Sequence, residues 1–166
     1  MLQEIELDGL SDEDVPGAVS AFLAEADRRI DVFFDTERNK RVPKFIPSDA
    51  ETVYRVLEFV TREELPLGWV FCEWGSGFGV ATCLAGLFGY EAYGIEIEEE
   101  LVNAAASLAG DMGIDARFVC SSYLPEGIDS YAAMGGEEIV REGDVEGELG
   151  YEGMERDLSE VDVVFV

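Results

Sequence analysis

The chain predicts an α/β fold built on a partial, mainly parallel sheet of about four strands, preceded by a helical N-terminal extension. Three observations carry this. Between Trp69 and Cys120, short apolar runs alternate with helical stretches in the order strand, helix, strand, helix, strand. A glycine-rich turn joins the first strand to the first helix of that series. A last apolar run, Val161 to Val166, supplies a fourth strand. Parallel neighbours joined through helices require right-handed crossovers.

The N-terminal extension covers residues 1–44. Its apolar positions Val19, Phe22, Leu23, Ala26, Ile30, Phe33 and Phe34 recur every three or four residues, which predicts an amphipathic helix from about Pro16 to Asn39. Pro16 suits the first turn, and the basic end Arg38 to Arg41 suits the negative pole of the helix dipole. Ser48-Asp49-Ala50-Glu51 has the capping-box pattern, so a second helix runs from about Asp49 to Arg62 with Val53, Val56, Leu57 and Val60 inward.

Pro66-Leu67-Gly68 is turn chemistry, and Trp69-Val70-Phe71-Cys72 is short enough for a buried strand. Val80 to Phe88 is apolar nearly all round, as a helix pressed on a sheet is, and ends at Gly89. Glu91 to Ile97 reads as the second strand, Glu98 to Ala109 as a helix with Gly110 just past its end, and Ala116 to Cys120 as the third strand. Leu124 to Glu160 carries seven glycines and many acids without a sustained period. A helix around Asp129 to Arg141 and a mobile acidic loop from Glu142 to Gly153 are expected there. By composition the fourth strand is buried.

With 166 residues, 48% of them hydrophobic, the chain has material for one core, and a single domain spanning 1–166 is expected. No run reaches the roughly 18 apolar residues of a membrane span, and the N-terminus lacks a signal peptide's basic and apolar regions. The expectation is a cytoplasmic protein without a membrane partner. Cys72, Cys83 and Cys120 form no CxxC pair and are expected to be buried free thiols. No metal site is expected, and the chain has no histidine to act as a base.

Acidic residues number 37 against 11 basic ones, a formal charge of -26. A field of that sign repels phosphate backbones and anionic membranes, which argues against a nucleic-acid substrate. It attracts basic proteins and cationic small molecules. It also serves solubility, the reading favoured by acids spread along the whole chain.

The chemistry is concentrated in Glu73-Trp74-Gly75-Ser76-Gly77-Phe78-Gly79. Glycines between a strand and a helix let a ligand approach backbone amides and the positive end of the helix dipole, where a Cβ would block it. The dinucleotide fingerprint requires glycine or alanine where Val80 stands, which disfavours an oxidoreductase using NAD or FAD. No lysine follows the glycines, which excludes a P-loop. A second acid, Glu96, stands 23 residues after Glu73 in Gly94-Ile95-Glu96-Ile97, at the end of the second strand. A carboxylate there can accept two hydrogen bonds from ribose hydroxyls.

Acid-x-Gly-x-Gly-x-Gly followed by this second acid is similar to the first two motifs of class I S-adenosylmethionine-dependent methyltransferases. The resemblance covers about Phe45 to Tyr123 and resumes at Val161. It implies a Rossmann-like three-layer sandwich with strand order 3-2-1-4, and S-adenosylmethionine as cofactor. It makes 45–123 the cofactor-binding core, 124–160 an acidic Gly-rich loop region and 161–166 the last strand. Glu73, Gly75 and Gly77 would then hold the methionine end, with Ser76 and Gly79 close by, while Glu96 takes the ribose and Ile97 covers the adenine. The third motif is less faithful: where relatives carry an acid for the adenine amino group, this chain has Ser121-Ser122. Ser122 is a neutral acceptor there, or both serines cap the following turn. Phe45-Ile46-Pro47-Ser48 resembles the aromatic-x-Pro-Ser/Thr segment that closes over the cofactor in some lysine methyltransferase-like members.

The implied function is methyl transfer to an unknown acceptor, a protein or small molecule in preference to nucleic acid. The alternative is a non-catalytic S-adenosylmethionine-binding or partner-binding module derived from that fold. The family's catalytic groups usually follow the fourth strand, where this sequence stops, so the expectation is a chain cut short of its catalytic half. No catalytic residue is assigned, and Asp162 reads as a strand cap. The Val161 to Val166 edge is expected to pair with a second copy or to leave the fold marginal.

Overall fold

The computed structural model describes residues 7, 9–11, 13–36, 38–40, 42, 45–123, 151 and 153–166. The expected helix at Asp129 to Arg141 lies outside them, as does most of the acidic Gly-rich region. The elements are α1 (Gly17–Asp35), α2 (Ala50–Arg62), β1 (Val70–Trp74), α3 (Val80–Leu87), β2 (Glu91–Glu96), α4 (Glu99–Met112), β3 (Ala116–Cys120) and β4 (Val163–Phe165). Short 3-10 turns occupy Arg38–Lys40 and Leu158–Glu160. All strand pairs are parallel and their order is β3-β2-β1-β4, the expected Rossmann-like arrangement. No helix among the described residues is long and apolar enough to cross a membrane.

Side chains alternate across the sheet, and this divides the core in two. Phe71 and Ala92 face α3 and α4, which place Cys83, Leu84, Leu108 and Ala109 against them. α1 and α2 form an outer layer on α3 through Val19, Phe22, Ala26, Val53, Tyr54 and Leu57. Cys72, Tyr93, Ile95 and Val119 face the other way and are covered by Tyr151, Met154, Leu158 and Val161. Residues 151 and 153–160, expected within the acidic loop region, and Val161, expected to open the fourth strand, form a strap. Tyr151 is buried in that core, Asp157 and Glu160 make a capping box, and Arg156 pairs with Glu91. The Arg156 guanidinium and the Tyr93 hydroxyl hold the Glu91 carboxyl down at about 2.

Several element ends differ from expectation for identifiable reasons. α2 is capped by Asp49, whose Oδ1 accepts from Thr52 N at 2.8 Å, so Ser48 is not the cap. Its inward face is Val53, Tyr54, Leu57 and Phe59, with Val56 and Val60 half-buried. α4 runs through Gly110, because its apolar stripe continues to Leu108, Ala109 and Met112. It ends at left-handed Gly113, where Gly113 N bonds Gly110 O and Ile114 N bonds Ala109 O in a Schellman motif. Arg38 does not serve the α1 dipole: it binds Glu100 on α4 and lies over the Phe33 ring.

β4 is shorter and more open than the buried strand expected. Among the described strands it borders only β1, and Val164 and Val166 are exposed. Asp162 caps the β1 start as read: Val70 N donates to its Oδ2 at 3.0 Å and Asp162 N donates to Val70 O at 2.9 Å. Gly68 provides the room, since a Cβ there would lie 2.4 Å from Asp162 Oδ2.

Cys72 and Cys83 are buried free thiols, pushed up by burial to about 11 and about 12 respectively. Cys120 is exposed, contrary to expectation, because it ends the edge strand β3. A thiol reagent under native conditions is therefore expected to modify one cysteine rapidly, and all three only after denaturation. Rapid modification of two or three in the folded protein would contradict this burial.

Candidate functional site

The loop after β1 reverses the chain by placing Gly75, Gly77 and Gly79 at φ +75°, +53° and +69°, a conformation that L side chains rarely adopt. Gly75 N and Ser76 N both donate to Ile95 O, at 2.8 and 2.9 Å, which seats the loop on the end of β2. Gly79 then starts α3 without any side-chain cap.

Two carboxylates fix this loop from below. Glu73, at the penultimate position of β1, is 6% exposed. Its Oε2 accepts from Thr82 N at 2.9 Å and from Thr82 Oγ1 at 2.6 Å. Glu73 thus supplies the first turn of α3 with the acceptor that Gly79 lacks. Burial pushes its carboxyl up to about 7; the two Thr82 bonds oppose that rise, and nearby Glu96 adds to it. Glu96 ends β2 and is 8% exposed. Its Oε2 accepts from Gly77 N and its Oε1 from Glu98 N, both at 2.9 Å. One side chain therefore ties the glycine loop to the start of α4.

Above the loop lies a cleft of about 710 Å³ between α1, the Phe45–Ala50 segment and Glu73–Ala81. Phe45 roofs the glycines: a Cβ on Gly77 would lie 2.5 Å from its Cε2. Its ring packs on Phe78 at 5.3 Å and on Phe33 at 5.8 Å. Ser76 also lines the cleft, is 4% exposed, and its Oγ has no hydrogen-bond partner among the described residues. Asp27, Asp31, Asp49, Glu51 and Glu73 line the cleft, and no Lys or Arg does among the described residues.

The residues singled out from sequence fall into two zones. Glu73, Gly75, Ser76 and Gly77 line the cleft together with Phe45 to Ser48. Glu96, Ile97, Ser121 and Ser122 lie outside it at the ends of β2 and β3, where Ser121 N donates to Glu96 O at 3.0 Å. Ile97 is 66% exposed beside Glu96, and Ser122 is exposed. The Gly77 N to Glu96 bond joins the two zones. Gly79 belongs to neither; a Cβ on it would lie 2.3 Å from the Phe118 ring, so its place is in packing.

Sequence reading missed Thr82, Asp27 and Asp31. Thr82 carried a signal, as the lone polar residue in Val80-Ala81-Thr82-Cys83-Leu84-Ala85. The α1 aspartates carried none, because nothing local says that this helix turns them towards the loop.

No family model and no curated protein matches the chain. Among solved structures, it is similar to an RNA methyltransferase from Salinibacter ruber in complex with S-adenosyl-L-homocysteine, at 29% identity and TM-score 0.40, over 46% of this chain and 50% of that one. It is similar to magnesium protoporphyrin IX methyltransferase from Synechocystis PCC 6803 with bound S-adenosylhomocysteine, at 20% identity and TM-score 0.42, over 59% and 52%. A third is the O-methyltransferase of tomaymycin synthesis from Streptomyces achromogenes in complex with S-adenosylmethionine, at 17% identity and TM-score 0.43, over 65% and 44%. The chain spans about half the length of these structures.

Proposed function

We propose that this chain binds S-adenosylmethionine across the two zones and belongs to a methyltransferase acting on a cationic acceptor, a basic protein segment or a small molecule. The observation that carries the reading is Glu73, a buried carboxylate opening on a cleft without a lysine or arginine among its described lining residues, beside the unpartnered Ser76 hydroxyl. A buried acid lacking a cation is costly unless a ligand supplies one. The ammonium group of the cofactor's amino-acid end is such a cation.

On this reading Glu73, Gly75, Ser76 and Gly77 hold the amino-acid end. Glu96 keeps a spare lone pair on each oxygen for the ribose hydroxyls, while Ile97, Ser121 and Ser122 border the base. Gly79 acts only by packing. The bound cofactor supplies a methyl group on a positively charged sulfur. The protein then has to position the acceptor and exclude water. The acidic lining from Asp27, Asp31, Asp49 and Glu51 favours a cationic acceptor, and the charge of -26 disfavours nucleic acid.

Calorimetric titration with S-adenosylmethionine, S-adenosylhomocysteine and NAD tests this. Relative to a reference value of 4.5, the Glu73 carboxyl is raised to about 7 in the folded chain. Its contribution to stability is therefore fully present below pH 4.5 and lost as pH rises through about 7. A cation placed beside Glu73 favours the ionised form, so binding at slightly acidic pH releases a proton. The expected result is binding of both adenosyl ligands, no binding of NAD, and an enthalpy that changes with the buffer's ionisation heat. Folded protein that gives no heat with either adenosyl ligand would refute the proposal.

A further inference from the structure

Thr82 has 0% exposure in a helix whose other buried side chains are Ala81, Cys83, Leu84 and Ala85. A threonine hydroxyl inside a helix usually bonds a carbonyl three or four residues back. This one reaches another element instead, donating to Glu73 Oε2 at 2.6 Å, with Tyr93 O more distant at 3.5 Å. The Thr82 amide donates to the same oxygen at 2.9 Å. Both donors converge on Oε2, and the described residues give Oε1 none.

We propose that Thr82 is a positioning residue: it pins one oxygen of Glu73 and leaves the other for a cationic ligand group in the cleft. This rests on the S-adenosylmethionine reading above, which supplies the ammonium group as that cation.

The surroundings make the Thr82 hydroxyl consequential. Glu73 is flanked by Glu96 from β2, Cys83 from α3 and Cys72 from its own strand. The cleft adds Asp27 and Asp31 from α1, with Asp49 and Glu51 at the start of α2. None of these favours a charged Glu73, and burial opposes it most. The two Thr82 bonds are what hold the carboxyl near neutrality. Only one of them depends on the side chain, so it can be removed without touching the backbone.

The test compares wild type, T82V and T82S by titration between pH 5.5 and 8.5, using S-adenosylmethionine and 5′-methylthioadenosine, which lacks the amino-acid end. For T82V we expect the pH at which S-adenosylmethionine affinity falls off to move upward. On the acid side, each unit of rise in the Glu73 pKa lowers affinity about tenfold. Methylthioadenosine affinity is expected to stay within about twofold, and T82S, which restores the hydroxyl, to follow wild type. Should T82V fail to fold, T82A carries the same expectation. An unmoved profile overturns the proposal, and so does an equal loss of both ligands, which marks a purely structural role. Wild type that binds no S-adenosylmethionine overturns the proposed function and this inference together; wild-type binding with an unmoved T82V profile overturns this inference alone.

Discussion

Replacing Gly79 with alanine is expected to destabilise the protein by about 2–5 kcal/mol, read from the denaturant midpoint at unchanged slope. Two costs add. The residue sits at φ +69°, which charges an L-amino acid about 1–2 kcal/mol. The new methyl would also lie 2.3 and 2.5 Å from Cε1 and Cζ of Phe118 and 3.0 Å from Cβ of Ala105. Those groups belong to β3 and α4, which pack together against α3, and neither can retreat as the tip of a flexible chain does. Overpacking of this kind costs typically about 1–3 kcal/mol. Gly75 is the internal control, with φ +75° but nothing within 4 Å of its Cβ position. G75A should therefore show the backbone cost alone. Equal destabilisation by the two variants would mean that the contact with Phe118 is not a packing constraint.

That contrast bears on what a sequence makes legible. β1, β2 and β3 were placed within two residues because a short apolar run between turn residues has few other solutions on a parallel sheet. The spacing from Glu73 to Glu96 was likewise informative, since one crossover on this sheet has a nearly fixed length. Cap choice was harder: Ser48 and Asp49 are both good caps, and only the geometry of the Thr52 amide decides between them. Gly110 and Gly113 both suit a helix end, and the apolar stripe reaching Met112 decides for the second. Long-range facts left no local trace. Phe45 resting on Gly77 and α1 turning Asp27 and Asp31 into the cleft depend on how elements pack across the fold. The strap at Tyr151 hid inside an acidic, glycine-rich composition, where a single aromatic anchor does not alter the average. The sequence divided the site residues between two ends of a ligand, and the fold places them in a cleft zone and a strand-end zone. The joint between them, the Gly77 amide on Glu96, involves the backbone, which no residue pattern spells out.

Because of that joint, E96A is expected to do more than remove the proposed ribose contact. Glu96 Oε2 is the acceptor for the buried Gly77 amide, and Oε1 for the Glu98 amide ahead of α4. Each orphaned donor costs about 1–3 kcal/mol, less where water reaches it, so a loss of about 2–4 kcal/mol in stability is expected. S-adenosylmethionine affinity should fall further than one lost charge-assisted bond, worth about 1.5–3 kcal/mol, accounts for, because the glycine loop loses its anchor as well. E96Q separates the two effects. Its amide oxygen can still serve one backbone amide, but its NH2 group must then face the other donor, so the loop is only half restored. The expected order of both stability and affinity is wild type, then E96Q, then E96A. If E96A instead left stability unchanged while weakening binding, Glu96 would act on the ligand alone. Its two backbone bonds would then contribute nothing to the loop, and the glycines would hold their shape through the Ile95 carbonyl and the left-handed turn alone.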